Sequence, residues 1–211
     1  MTTSRIARGS AHIDAVGRTP QIAATAATAA TTAAASEKSV LRTRLLAARR
    51  AMTPAARAAA EAMICSRLLD WLQKNPVASL GVYHPIRQEP DLHPAYNALA
   101  AQGVHLSLPI IRGKDAPLEF VRWTPGEPLV KDAMGTSAPE GGETVRPQAL
   151  LIPCLGFNAA RLRLGYGGGF YDRTLAQAPR PLAIGVAYAG ALAEFGGQPH
   201  DIALDVILTD A

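Results

Sequence analysis

The sequence predicts an α/β fold built on a largely parallel central sheet. Short apolar runs of strand length recur along the chain, and segments with helical periodicity lie between several of them. A glycine-rich segment directly follows one of these runs, at residues 149–155. In folds that alternate strands and helices, the sheet is mostly parallel and ligands bind beyond the carboxyl ends of its strands. The glycine-rich segment is therefore expected to be a ligand-binding loop.

Two helices are expected before the first strand. The first carries a short leucine stripe that begins after Lys38, formed by Leu41, Leu45 and Leu46. The second is expected to begin at Pro54, with Thr53 as its N-cap, because a threonine cap followed by proline is a typical helix start. Its core-facing residues recur at helical spacing and are Ala60, Ile64, Leu68, Trp71 and Leu72.

The rest of the chain supplies the sheet. Apolar segments predict strands at residues 77–84, 104–111, 118–123, 149–155, 182–188 and 205–210. Further helices are expected at residues 91–103, where Gly103 closes the helix, and at residues 170–178. A stretch rich in proline and glycine separates the third strand from the fourth.

Residues 1–36 differ in composition from everything that follows. They are rich in alanine and threonine, and their arginines are accompanied by a single acid, Asp14. This composition is shared by organelle transit peptides, and a disordered extension explains it equally well. We therefore expect residues 1–36 to be a disordered low-complexity extension and residues 37–211 to form the catalytic domain.

Bulk composition limits the classes of function. No apolar run approaches the roughly 20 residues that span a bilayer, so an integral membrane protein is excluded. The net charge of +4 suits nucleic acid or a phosphorylated small molecule, and the 5% aromatic content, with no long basic block, favours the small molecule. Cys65 and Cys154 lie far apart and are expected to be buried apolar residues in a reducing compartment, the cytoplasm.

The segment "RLRLGYGGGFYDR", residues 161–173, carries four glycines within five positions. One interpretation is an irregular connection in which glycines satisfy unusual backbone dihedrals. A dinucleotide fingerprint G-x-G-x-x-G fails, because Phe170 occupies its last position when Gly165 and Gly167 are the first two. The Walker A pattern G-x-x-x-x-G-K-[ST] occurs nowhere in the chain.

A phosphate-binding loop of another design remains. Successive glycine N–H groups and the start of the following helix form a concavity that favours anions. Arg161 and Arg163 can add charge-assisted hydrogen bonds to phosphate oxygens. Asp172 suits Mg²⁺, which prefers one or two carboxylates together with phosphate oxygens. The residues alone thus outline a nucleotide triphosphate site.

Five segments carry a resemblance to a known family. They are "KSVLR", "YHPIRQEPDLHP", "LLIPCLGF", "RLGYGGGFYDR" and "HDIALDVILTD". Together they closely resemble the 5-formyltetrahydrofolate cyclo-ligase family, also called methenyltetrahydrofolate synthetase, over Lys38 to Asp210. The resemblance implies a single three-layer α/β/α domain with a largely parallel sheet, Rossmann-like and of the CoA-transferase type.

The resemblance also implies a reaction. ATP and Mg²⁺ would drive closure of 5-formyltetrahydrofolate to 5,10-methenyltetrahydrofolate, with release of ADP and phosphate. The γ-phosphoryl group would first be transferred to the formyl oxygen, and N10 of the folate would then close the ring. The implied partners are small molecules only, without nucleic acid or membrane, and the implied enzyme is a cytoplasmic monomer.

The family's functional positions transfer to this sequence as follows. ATP contacts are implied for Lys38, Arg42, Arg163, Leu164, Gly165, Tyr166, Gly167, Gly168, Gly169, Phe170 and Tyr171. Folate contacts are implied for His84, Glu89, Tyr166 and Phe170. Asp172 and Asp201 would bind Mg²⁺, and Arg163 and Asp172 would be catalytic.

The sequence also departs from the family pattern. Phe170 stands where many members have tyrosine, so a mechanism that needs that hydroxyl is not expected here. Asn158 stands where many family members have an acidic residue. After "GVAY" the family commonly has a glutamine one or two positions on, whereas Gly190 and Ala191 follow here. The alternative function is a non-catalytic basic α/β module that binds a nucleotide or RNA. Its support is the pI near 9.3 and the arginine-rich first helix.

Overall fold

The structure, a computed structural model, describes Met1 and residues 20–131 and 136–211, with side chains from residue 35 onward. The chain divides into two compact units, Met1–Ser36 and Glu37–Ala211. Of residues 1–36, for which disorder is expected, residues 2–19 lie outside the described residues and residues 20–36 belong to a helix. Helix α1 begins at Pro20, earlier than Lys38 where the leucine stripe led us to expect it, because the alanine-rich segment has high helix propensity.

Four helices and one main sheet make up the described structure. The helices are α1 (Pro20–Ala51), α2 (Pro54–Lys74), α3 (His93–Ala101) and α4 (Phe170–Leu175). The strands of the main sheet are β1 (Ser79–Gly81), β2 (His105–Ile111), β3 (Leu118–Arg122), β6 (Thr144–Val145), β7 (Ala149–Pro153), β10 (Leu182–Val186) and β11 (Val206–Leu208). Two small hairpins pair β4 (Val130–Lys131) with β5 (Ser137–Ala138) and β8 (Gly156–Phe157) with β9 (Arg163–Leu164).

The order of strands in the main sheet is β11-β10-β7-β1-β2-β3-β6. The five strands from β11 to β2 are parallel, whereas β3 and β6 are antiparallel to their neighbours. From β1 the chain proceeds through α3 to β2 on one side, and β7 on the other side continues to β10. The strand order therefore reverses between β1 and β7, which is where open α/β sheets bind ligands.

Apolar residues cover both faces of this sheet. Residues of α2 and α3, such as Ile64 and Leu99, form one core cluster with the sheet. Leu175 of α4 belongs to the cluster on the other face. A third cluster joins Leu41 and Leu45 of α1 to Leu155 and to other residues near the β8–β9 hairpin. This last cluster fixes α1 beside the segment that follows β7.

Several predicted elements are confirmed. Helix α2 begins at Pro54, and Thr53 caps it by accepting a hydrogen bond from the Ala56 N–H at 3.2 Å. Cys65 and Cys154 are buried and free, as expected. No helix in the described part of the chain has the length and apolarity needed to cross a bilayer.

Two predictions were wrong in detail. Strand β1 covers three residues rather than eight, because the chain leaves the ladder after the Val82 N–H bonds the Ser107 carbonyl and then turns at Pro85. The segment after β7 was expected to be a loop but begins with the β8–β9 hairpin. Asn158 shapes its turn, since its Oδ1 accepts the Leu162 N–H at 2.9 Å. Two-residue strands are too short to show an alternating pattern in the sequence.

Candidate active site

Two loops meet at the crevice beyond the carboxyl ends of β1 and β7. The loop after β1 carries Glu89, and the glycine loop (residues 165–169) follows the β8–β9 hairpin. Tyr166 of the glycine loop joins them, because its hydroxyl donates to Glu89 Oε1 at 3.0 Å. The fold therefore brings the predicted nucleotide residues to the predicted folate residue.

Glu89 is a buried carboxylate with only 4% of its surface exposed. Its Oε2 accepts the Ile86 N–H at 3.0 Å, and its Oε1 accepts the Tyr166 hydroxyl. Burial raises the pKa of Glu89 above its usual range, while these hydrogen bonds and the positive charges of Arg49 and Arg87 oppose the increase. Burying a carboxyl group costs stability, so Glu89 is held here for a reason other than packing.

The turn before Glu89 has strained backbone. Arg87 and Gln88 both have positive φ, 48° and 61°, a region that residues with a side chain rarely adopt. The surrounding structure holds this turn, because Arg57 Nη2 donates to Gln88 Oε1 at 2.9 Å. Strain of this kind clusters at functional sites, where it places one side chain accurately.

Basic side chains on one face of α1 contact residues of the site. Lys38 Nζ lies 2.8 Å from Asp201 Oδ2, and Arg42 Nε donates to the Gly165 carbonyl at 2.8 Å. Arg49 Nη1 donates to the Tyr166 hydroxyl at 3.1 Å. Lys38 and Arg49 are eleven residues apart, which is about three helical turns, and Arg42 lies about one turn after Lys38. All three side chains therefore lie on one side of the helix. The leucine stripe that packs Leu41 and Leu45 into the core orients them.

Each of the two predicted metal-binding carboxylates forms an ion pair with a basic side chain. Asp172 Oδ1 accepts from Arg163 Nη2 at 2.7 Å and from the Ile202 N–H at 3.1 Å. Asp201 Oδ2 accepts from Lys38 and from the Gln198 N–H. Burial alone would raise the pKa of Asp201, but these hydrogen bonds and the charge on Lys38 lower it. Asp201 is therefore an anion at neutral pH.

The oxygen atoms of these carboxylates fit a hard cation. Within the described ranges, Asp172 Oδ2 has no hydrogen-bond partner, and Asp201 Oδ1 has only the His200 Nε2 at 3.8 Å. No cluster of three or more His, Cys, Asp or Glu residues that would form a complete metal cage occurs in the part of the chain described. Two carboxylates with free oxygens match Mg²⁺, which keeps waters and shares phosphate oxygens rather than filling a protein cage.

The glycine loop leaves its amide hydrogens unused. Three of its carbonyls accept hydrogen bonds: Arg42 donates to Gly165, Arg173 Nη2 donates to Gly168 at 2.7 Å, and the Arg173 N–H donates to Gly169 at 3.1 Å. In the described structure, the N–H groups of residues 165–169 donate to no other group. Gly167 and Gly168 are exposed, so these donors face solvent and can bind an anion.

Glycine is required at Gly167 and Gly168 for different reasons. Gly167 has a φ of 98°, and a Cβ there would lie 3.7 Å from Arg42 Cζ. Gly168 has no room, because a Cβ would lie 2.7 Å from the Phe170 ring. The Phe170 ring is also contacted by Arg173, whose guanidinium lies 4.9 Å from the ring centre.

We expect Gly167→Ala to weaken Mg·ATP binding by about tenfold or more, because the strained loop moves its donors away from the phosphates. The matched control is Gly103→Ala, since Gly103 also has a positive φ of 87° but lies at the end of α3 with open space around it. Both variants should lose about 1–3 kcal/mol of stability through the backbone. Calorimetric titration checks this: equal Mg·ATP affinity in both variants would contradict the prediction.

The other predicted residues occupy varied positions. Leu164 is buried in the cluster with α1, and Tyr171 packs against the core with Arg163 5.9 Å from its ring centre. His84 follows β1, but its ring contacts His93, 5.3 Å away, rather than the Tyr166–Glu89 pair. Its Nδ1 is buried with no hydrogen-bond partner in the described structure. Arg161, suggested with Arg163 for phosphate, instead donates to the Asp205 carbonyl.

Sequence reasoning did not place three residues that build the site. These are Arg49, Arg57 and Arg173, whose contacts hold the two loops. Arg49 is buried, whereas its neighbour Arg50 is exposed. The sequence did contain a sign that Arg49 faces the site. It lies eleven residues after Lys38, which places both side chains on the side of the helix that carries the leucine stripe.

The chain is similar to a family of known proteins. Residues 34–210 match the model of the 5-formyltetrahydrofolate cyclo-ligase family. The 5-formyltetrahydrofolate cyclo-ligase of Mycolicibacterium smegmatis is 34% identical over 186 residues, which cover 82% of this chain and 93% of that protein. The 5-formyltetrahydrofolate cyclo-ligase of Escherichia coli K12 is 29% identical over 133 residues, 60% of this chain and 73% of its own.

Solved structures share the fold. The NMR structure of 5,10-methenyltetrahydrofolate synthetase from Aquifex aeolicus is 28% identical, with a TM-score of 0.71 over 82% of this chain and 89% of that one. The 5,10-methenyltetrahydrofolate synthetase from Mycoplasma pneumoniae, at 24% identity, has a TM-score of 0.70 over 82% of this chain and 99% of its own. The expected α/β class with a largely parallel sheet is confirmed.

Proposed function

This chain belongs to the 5-formyltetrahydrofolate cyclo-ligase family and is a folate-related ligase, and from that premise we propose its reaction in detail. The enzyme uses ATP and Mg²⁺ to close 5-formyltetrahydrofolate to 5,10-methenyltetrahydrofolate, releasing ADP and phosphate. Both substrates are small molecules, and the enzyme acts as a cytoplasmic monomer.

The hydrogen bond between Tyr166 and Glu89 is the observation that carries this proposal. It joins the loop with free amide donors to the loop with a buried carboxylate, at the point where the strand order of the sheet reverses. A nucleotide and a folate bound to these two loops would meet in one crevice. Transfer between two substrates requires this proximity.

The chemistry explains why no Ser, Cys or His nucleophile is needed. An amide-like formyl oxygen is a poor leaving group, so it first attacks the γ-phosphorus and displaces ADP. N10 of the folate then attacks the activated formyl carbon, and phosphate leaves from that carbon. Because the substrate provides both nucleophiles, the protein has only to position the reactants and neutralise charge.

The chain's own cations suit the phosphoryl step. We assign Lys38, Arg42 and Arg163 to the phosphates, with the N–H groups of the glycine loop. Lys38 and Arg163 each hold a carboxylate at 2.8 and 2.7 Å, so their ammonium and guanidinium groups are oriented before the nucleotide binds. When bound, Mg²⁺ supplies further neutralisation of phosphate charge, and Asp172 and Asp201 would hold it.

The folate side depends on Glu89. A carboxylate can accept two N–H groups from the aminopyrimidine edge of a pterin, and the orientation of the Glu89 carboxylate is held by Tyr166 and the Ile86 N–H. His84 supplies a buried nitrogen without a protein partner near the same strand end. Phe170 contributes only its ring, which packs on Gly168, so the reaction does not depend on a hydroxyl at this position.

The alternative of a non-catalytic basic module loses its main support. The relatives are ligases by name, and the chain is an enzyme of their family. Of the basic residues of α1 that suggested an RNA surface, Lys38 pairs with Asp201 and Arg49 is buried, whereas Arg44 and Arg50 are exposed.

The proposed reaction is tested by mixing the protein with Mg·ATP and 5-formyltetrahydrofolate. We expect the absorbance band of methenyltetrahydrofolate to appear with one ADP released per product. Omitting ATP, or chelating the metal, should abolish the signal. No product with all components present, or product without ATP, would overturn the proposal.

A further inference from the structure

Arg49 is a buried cation whose charge is not matched by a direct ion pair. Only 4% of its surface is exposed, and no carboxylate in the described structure lies within ion-pair distance of it. Its Nη1 donates to the Tyr166 hydroxyl at 3.1 Å and its Nη2 to the Cys154 carbonyl at 2.8 Å. A buried charge is costly unless it is compensated, so the compensating group must be sought through these contacts.

Tyr166 connects Arg49 to such a group. Arginine has only donors, so the Tyr166 oxygen accepts from Arg49, and the single hydroxyl proton is then directed to Glu89 Oε1. Burial raises the pKa of Tyr166, so the hydroxyl keeps its proton at neutral pH. The direction of both hydrogen bonds is therefore fixed, and each strengthens the other.

The anchoring of Arg49 makes this relay rigid. The Cys154 carbonyl lies just after β7, and the guanidinium also lies 5.8 Å from the centre of the Tyr188 ring, whose hydroxyl donates to Glu61 Oε1 at 3.0 Å. Arg49 of α1 thus contacts the end of β7, the glycine loop and Tyr188. A side chain with only a packing role would not need this set of polar contacts.

Other charged and titratable groups also face Glu89. They are Arg87, Tyr83, Tyr171 and Cys154. Arg87 is exposed, so water and salt screen its charge, while the tyrosines and the cysteine are neutral at pH 7 because burial raises the pKa of each. Arg49 is the buried cation in this group.

We propose that Arg49 is a positioning residue for folate binding, which acts through Tyr166 to keep Glu89 ionised and oriented toward the pterin. This inference rests on the proposed function, since Glu89 is assigned to the folate there. Arg49 itself touches no substrate. It belongs to the folate half of the site, in contrast to Lys38 and Arg42 on the same helix.

The test compares Arg49→Met with Arg50→Met, since Arg50 is the exposed neighbour. We expect Arg49→Met to raise the KM for 5-formyltetrahydrofolate about tenfold or more while the KM for ATP changes less than about twofold. Loss of the nearby positive charge disfavours the Glu89 carboxylate, so the acidic limb of the kcat/KM profile for folate moves to higher pH. Arg50→Met should match the wild type in all three measurements.

Two further variants keep the test decisive if Arg49→Met folds poorly by circular dichroism. Arg49→Lys retains the charge but not the two-pronged donor, so the acidic limb should return toward the wild-type pH while the folate KM stays raised. In a Tyr166→Phe background, Arg49→Lys should change the folate KM much less than it does in the wild type.

Two results would overturn the inference in an active enzyme. One is a loss of kcat with both KM values and the acidic limb unchanged, and the other is an undiminished effect of Arg49→Lys in the Tyr166→Phe background. Absence of turnover in the wild type would instead overturn the proposed function, so the two failures are distinguishable.

Discussion

Asp172→Asn is expected to reduce turnover by about 10³-fold or more, the largest effect of any single change at this site. The amide can still accept the Ile202 N–H, so the local backbone is retained. It cannot neutralise Arg163 or offer an anionic oxygen to Mg²⁺. Product formation under saturating substrates measures the loss, and calorimetric titration with 5-formyltetrahydrofolate should show folate affinity close to that of the wild type.

Asp70→Asn is the matched control, because Asp70 is exposed on α2 away from both loops. It should leave turnover and folate affinity unchanged. If Asp172→Asn lost folate affinity as completely as turnover, the variant would be misfolded and the metal assignment would not explain its inactivity.

Glu89→Gln is expected to raise the KM for 5-formyltetrahydrofolate about 10- to 100-fold, the effect of losing a hydrogen bond to a charged group. The amide keeps the size of the side chain but cannot accept two pterin N–H groups as an anion. The KM for ATP should change little, because the glycine loop and its cations are untouched. Steady-state kinetics with each substrate varied in turn measure the two values.

Glu143→Gln provides the control, since Glu143 is an exposed carboxylate that pairs with Arg122 at 3.0 Å on the sheet edge. Its kinetics should match those of the wild type. A larger rise in the KM for ATP than for folate in Glu89→Gln would mean that the two halves of the crevice are assigned the wrong way round.

Long periodic patterns in the sequence predicted the frame of this protein. The cap at Thr53, the helix α2 and the strands β2, β7 and β10 agree with the structure, because many residues contribute to each pattern. The glycine-rich segment was also placed correctly at the end of a strand.

Short elements and long-range contacts were harder to predict. The β8–β9 hairpin has two residues in each strand, which leaves no alternation to detect. The burial of Arg49 depends on Tyr166 and Cys154, more than a hundred residues away, and no local pattern encodes such a contact. The spacing from Lys38 indicates which face of the helix carries Arg49, and the folded chain shows which groups it contacts.

Tyr166 has a consequence for how the two substrates affect each other. Its backbone lies in the loop assigned to the nucleotide, while its hydroxyl bonds Glu89, assigned to the folate. When the nucleotide orders this loop, it also orders the hydroxyl, so the second substrate pays a smaller entropic cost on binding. Thermodynamic linkage makes this synergy reciprocal, so folate should tighten nucleotide binding by the same factor.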